Sequence, residues 1–364
     1  IMLLLTAVFA TIIFGLFLST ILRNPMEARA NTGGITPLFP AVDTGDWYEA
    51  ATGYPPTTTI YFGAYAIMPL TDTLYIGFGT ARPSESDGAL LAKTDGVTVT
   101  AVHTLTEQGF LGLTAVDNII HIPGVDPCCG DGWEFGNTYI YTPSIAFTKL
   151  RNMPDVIHSW GMWAAENDDL YIAVSSPVST TNEGGSIAVS HDCAQSWTTI
   201  ANRDDGVGNH RTYDILGLNG NLYATWNDVY SDPCGVTVSE DDGQNWTRLA
   251  GLQTECRPRL LAFDGTVLAL RDDLAAIYAI SDDGTIATHP FPNFTVTEWA
   301  YNYGSVDGAG WLYLVTADGR VVRTTDLESW QTIADTDLEL ITIAHWPYKN
   351  WLVLSDRGSD AKLW

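Results

Sequence analysis

Carboxylates are the most abundant reactive groups in this chain, and their number defeats any attempt to choose among them by spacing. With 43 Asp and Glu side chains, some pair at the roughly 5 to 10 Å separation needed for acid/base attack on a glycosidic bond arises by coincidence. A more selective pattern is the interleaving of aromatic rings with cations: His158 and Trp160, His210 and Arg211, Arg257 and Arg259, Trp299 and Tyr301, together with Trp133 in a glycine-rich loop. Such sets stack on sugars or anchor a protein partner. Trp133, His158, Arg211 and Arg259 are the expected recognition patch; Trp160 and Trp299 either extend it or fill the space between sheets. There is no Ser-His-Asp nucleophile motif, no phosphate-cradling glycine loop and no His-rich metal spacing. No catalytic residue, metal ligand or cofactor is assigned.

Five cysteines occur, at 128, 129, 193, 234 and 256. The odd count leaves at least one unpaired. Adjacent Cys128 and Cys129 cannot bond to each other without strain, and Cys234 with Cys256, both in loops expected on one face, is the best disulfide candidate.

The elements that would position these groups are short strands. Gly, Trp, Tyr and Thr are plentiful while Lys is sparse, which suits strands joined by tight turns. One theme recurs: an apolar strand, a short turn, a second strand, a variable loop and a polar hairpin. It is clearest in YDILGLNGNLYATW, Tyr213 to Trp226, where two apolar runs flank the hairpin signal Asn219-Gly220. Relatives begin at Tyr65, Leu111, Ser159, Leu260, Tyr303 and Ile341, a spacing of roughly 40 to 50 residues that fits four-stranded propeller blades. The count predicts a seven-bladed β-propeller over 57–364, with six blades as the alternative if a weak second or seventh unit is misread. The seventh unit stops short at Trp364, so ITPLFPAVDTGDWYEA, Ile35 to Ala50, is expected to supply a ring-closing strand within the tether 23–56.

Ser239 to Trp246 (SEDDGQNW) matches the pattern S-x-D-x-G-x-x-W at every defined position. Ser190 to Trp197 (SHDCAQSW) matches with Ala194 in place of glycine, and Thr324 to Trp330 is one residue short. The chemistry of the pattern is local: a carboxylate accepts turn N–H groups, glycine takes positive φ, and the indole covers the turn. Ser190, Asp192, Trp197, Ser239, Asp241, Gly243 and Trp246 are therefore read as structural. These turns resemble the Asp-box (BNR-repeat) β-propellers, a group that includes sialidases, sortilin-type receptors and propellers that assist photosystem assembly. The resemblance implies the architecture and leaves the function open. A sialidase would need an arginine triad, a Tyr/Glu nucleophile pair and normally an Arg-Ile-Pro motif. That motif is missing, and Arg211, Arg257 and Arg259 with Tyr213 and Glu298 are too little to assign a triad.

A formal charge of -26 repels phosphate backbones, which argues against nucleic acid as a partner. Ile1 to Leu22 carries no charge and no proline. As a helix it would span roughly 33 Å, enough to cross a bilayer, and it is longer than the usual apolar core of a cleaved signal. The reading is a retained transmembrane or assembly helix over 1–22 carrying a propeller outside the cytoplasm. The expected role is a non-catalytic binding or assembly scaffold with a protein partner or a second copy of itself. The alternatives are a surface glycoside hydrolase or glycan-binding propeller, and a filament subunit with a helical core.

Overall fold

The structure, a computed structural model, describes Ile35, Leu38, Tyr48, Ala50, Ala51 and most of 63–364; within the latter, 80–88, 125–136, 178–182, 230–232, 298–301, 357–362 and a few single positions are outside the description. The expected helix at Ile1–Leu22, the loop residues Trp133, Cys128 and Cys129, and the positions Glu298, Trp299 and Tyr301 lie outside the described residues. Among those that are described, no helix is long and apolar enough to cross a membrane.

The chain forms an all-β propeller. Among the described residues, six antiparallel sheets of four strands follow one another, each strand bonded to the next in sequence. Blade 1 covers 63–105, blade 2 114–151, blade 3 158–202, blade 4 211–248, blade 5 256–290 and blade 6 304–335. Each begins with its inner strand: Gly63–Leu70, Thr114–Val116, His158–Ala164, Arg211–Leu218, Cys256–Phe263 and Gly304–Val306. The seven-bladed expectation is thereby corrected to its alternative of six. Among the described residues the seventh repeat yields a two-stranded hairpin, Leu340–Trp346 paired with Trp351–Asp356.

That hairpin fills the space between blades 6 and 1. Its outer edge is extended by the end of the chain, where Trp364 and Leu354 exchange backbone hydrogen bonds of 2.9 and 3.0 Å and Leu38 N–H donates to the Leu363 carbonyl at 2.8 Å. Of Ile35–Ala50, expected to supply a ring-closing strand, all but Ile35, Leu38, Tyr48 and Ala50 lie outside the described residues. Leu38 contributes one hydrogen bond, whereas Tyr48, Ala50 and Ala51 have helical backbone and bury the Tyr48 ring against Ile76, Phe78 and Trp346.

The core is not a single mass. Apolar clusters lie between neighbouring units all the way around: Ile120, Ile122 and Leu91 between blades 1 and 2, Met162, Ile172 and Val116 between 2 and 3, and Ile187, Ile215 and Ala224 between 3 and 4. The series continues with Val236, Leu260 and Val267, Leu268, Ile277 and Leu314, Val315 and Ile343, and finally Ala344 with Ile76. Strands buried on both faces by flanking blades explain the continuous apolar runs in the sequence.

The hairpin turns behave as their residue types dictate. Asn219 (φ 54°) and Gly220 (φ 86°) both take the left-handed region, as a two-residue turn of this kind requires. In the Ser239 turn, Gly243 N–H donates to Ser239 Oγ at 2.8 Å, Asn245 N–H donates to Asp241 Oδ1 at 2.8 Å, and the Trp246 indole N–H reaches the Gly243 carbonyl at 3.0 Å. The Ser190 turn repeats this with Ala194 N–H on Ser190 Oγ at 2.9 Å and Ser196 N–H on Asp192 at 2.8 Å. Thr324, Asp326 and Trp330 build the same device from the shortened copy. The Ser196 and Asn245 side chains hold the Asp192 and Asp241 carboxyls below the usual carboxylate range. These turns join the third and fourth strands of their blades, away from the channel lined by the inner strands.

Candidate functional site

Two sets of polar groups lie along the axis of the ring. The first is at the mouth formed by the starts of the inner strands of blades 3 and 4. The His158 and Trp160 rings are 5.0 Å apart between centroids, and the Trp160 and Tyr213 rings 5.6 Å. The Arg211 guanidinium lies 5.0 Å from the centre of the Trp160 ring, within cation–π range. Asn227 fixes the end of this ladder, its amide donating to Tyr213 Oη and to the Val229 carbonyl, both at 2.9 Å.

Local irregularities of the inner strands aim these rings. The pairing register slips between Thr212 and Asp214, leaving Tyr213 as an extra residue, and again in blade 3 around Trp160 and Gly161. A bulge turns a side chain out of strict alternation and toward the axis. Blade 1 does the same at Tyr65. Gly161 is required by this arrangement: a Cβ there would lie 2.3 Å from Asp214 Oδ1.

The second set is a belt across the channel. Asp214, 5% exposed, accepts from Arg259 Nη1 at 3.1 Å and from Leu260 N–H at 3.0 Å. Arg259 also donates from Nε and Nη2 to Asn302 Oδ1 at 3.2 and 2.9 Å, and Asn302 passes the chain on through its amide to the Tyr65 carbonyl at 2.8 Å. Blades 4, 5 and 1 and the segment leading into blade 6 are thus tied by one hydrogen-bonded path. Burial pushes the Asp214 carboxyl up, against the pull of the Arg259 charge and of the Leu260 and Ile215 N–H groups. Burial likewise raises the Tyr303 phenol, which lies beside the belt and donates to the Arg259 carbonyl at 3.4 Å. Beyond Arg259 and Asn302 the channel opens into a cavity of about 390 Å³ walled by Ala66, Met68, Leu113, Val306, Ile343 and His345, among others.

The structure brings His158, Trp160 and Arg211 together and places Arg259 in the belt. Its guanidinium is committed to Asp214 and Asn302. Trp133 and Trp299 fall outside the described residues, so their place in the patch stays as expected from sequence. Sequence reasoning missed Asp214, Asn302 and Asn227. Asp214 was one acid among many, and its partners are more than forty residues away in sequence. Among the described residues, no group of three or more His, Cys, Asp or Glu side chains could hold a metal ion.

Comparison with known structures agrees on the architecture. Its neighbours are β-propellers. Virginiamycin B lyase from Staphylococcus aureus aligns with a TM-score of 0.54 at 12% identity, covering 83% of this chain and 93% of the other. YCF48 from Cyanidioschyzon merolae aligns at 0.55 and 10% identity, covering 84% and 96%. PorZ of Porphyromonas gingivalis, described as an essential bacterial surface component of the type-IX secretion system, aligns at 0.58 and 10% identity over 83% of this chain and 46% of its own. No protein-family model and no curated protein matches the sequence. Identities this low establish the fold alone.

Proposed function

We propose that this chain is an Asp-box propeller held at the outer side of a membrane by its apolar N-terminal segment, and that it serves as a non-catalytic scaffold for a protein partner or a second copy of itself. The observation that carries the reading is the His158–Trp160–Tyr213 ladder capped by Arg211 at the channel mouth. Aromatic rings with a guanidinium are the residue types that dominate binding energy at protein interfaces. Asp214, on the inner strand of blade 4, is engaged by Arg259 and Leu260 and so is poorly placed to act on a bound substrate. The surface role of PorZ and the apolar run Ile1 to Leu22 support placement outside the cytoplasm.

The test is native mass spectrometry of the full chain extracted from its membrane in mild detergent, beside W160A and R211E variants checked for retained fold by circular dichroism. A defined species heavier than the 39.7 kDa chain that both variants lose supports the reading. A lone monomer that binds immobilised glycans through Trp160 replaces it with a glycan-binding role.

A further inference from the structure

The junction of blades 4 and 5 holds a pair of cysteines in an arrangement that the fold does not otherwise need. Cys234 precedes the third strand of blade 4 and Cys256 opens the inner strand of blade 5. Their backbones form an isolated antiparallel bridge, each N–H donating to the other's carbonyl at 2.8 Å. This is the hydrogen-bonded type of antiparallel pair, which sets the Cα atoms about 5.5 Å apart, inside the range a disulfide spans. In this structure both cysteines are free thiols, with their sulfurs in contact at 2.7 Å. Both residues are almost fully buried, Cys234 at 2% and Cys256 at 0% exposure, within the apolar cluster of Val236, Leu252 and Leu260.

We infer that Cys234 and Cys256 form a disulfide that clasps blade 4 to blade 5. The bond ties the base of the loop after Asn227, which flanks the aromatic ladder, to the strand that carries Arg259. It forms by thiol–disulfide exchange with an oxidised low-molecular-weight or protein disulfide: one thiolate attacks the oxidant and releases a thiol, then the second thiolate displaces the remaining half. Two protein thiols and one oxidant disulfide give one protein disulfide and two released thiols. Because neither sulfur is reachable once the blades have met, exchange takes place while the chain folds, and the finished bond is shielded from reductant. Cys193, in the Ser190 turn, is half-buried and belongs to a different blade, so it is not a competing partner in the folded chain.

The experiment is peptide mapping of the full-length protein, secreted through an oxidising compartment, denatured and alkylated without reduction. The expected result is a linked peptide pair containing Cys234 and Cys256, with alkylation confined to the other three of the five cysteines. The link should survive tris(2-carboxyethyl)phosphine under native conditions and be lost when denaturant is added. Recovery of Cys234 and Cys256 as separately alkylated peptides, or linked to any other cysteine, overturns the assignment. Reduction in the native state at the rate of an exposed disulfide overturns the claim that the bond is formed before blade closure. The mapping needs no variant, so it does not depend on C234S or C256S folding, and it is independent of whether the channel mouth binds a partner.

Discussion

Replacing Arg259 by methionine keeps most of the stem volume and deletes the charge that crosses the channel. Asp214 then keeps only Leu260 N–H among its cross-blade donors, and Asn302 loses both guanidinium contacts. The side chains are only 19% and 7% exposed, so water does not replace what is removed, and breaking one partner of such a pair costs about 3–5 kcal/mol. For a domain of roughly 300 residues, with an unfolding entropy near 2.1 cal/mol/K per residue, that lowers the melting temperature by about 5–8 °C. Burial already raises the Asp214 carboxyl, and losing Arg259 raises it further. The folded state then binds a proton that the unfolded state releases, so stability is gained below the ordinary carboxylate range and lost as pH rises through the raised value. The gap between R259M and the parent should therefore narrow on acidification. D214N/R259M should recover part of the loss at neutral pH, because no charge is left buried. Denaturant titration followed by tryptophan fluorescence measures all three. An R259M protein within about 1 kcal/mol of the parent at neutral pH, or a double variant no more stable than R259M, would refute the belt as a structural tie.

Further outcomes can be measured the same way. His121 is fully buried, neither ring nitrogen has a hydrogen-bond partner among the described residues, and desolvation lowers it to about 4. The unfolded chain therefore binds the extra proton, and stability should fall by about 3 kcal/mol as pH drops from 6.5 to 4, with H121F removing that slope. Loss of Ser239 Oγ strands the Gly243 N–H inside its turn, so S239A should cost about 1–3 kcal/mol; an unchanged denaturation midpoint would contradict this. A Cβ at Gly217 would lie 2.1 Å from the Trp163 ring, and G217A should destabilise by about 1–3 kcal/mol with altered Trp163 emission.

Much of the ring could be read from the chain because its information is local. The turn at Asn219-Gly220 and the Ser190 and Ser239 hairpins are built by residues within a few positions of one another, and residue type alone states their geometry. Blade count was harder. Leu340–Trp346 and Trp351–Asp356 carry the same apolar runs as a blade, yet whether further strands join them depends on segments from the opposite end of the sequence. The channel was harder still. His158, Trp160 and Arg211 could be placed at a mouth by their position at strand starts, but Arg259 occupies the equivalent position and points into the belt. A bulge decides which way such a residue faces, and one extra residue in a strand of eight leaves no mark on the apolar pattern. Asp214 and Asn302 are polar residues whose partners come from other blades, so only the closed ring reveals them.

The hairpin between blades 6 and 1 also governs when the molecule is finished. Leu38 meets Leu363, a contact between positions more than three hundred residues apart, so it cannot exist until Leu363 has left the ribosome. Until then the flank of blade 1 that carries Ile76 and Phe78 and the flank of blade 6 that carries Val315 are both uncovered on the nascent chain. Long-range closure of this kind is slow, and transiently bare apolar flanks invite aggregation. A chain halted before Leu340 should thus be a far better chaperone client than the completed ring, although it already contains all six blades.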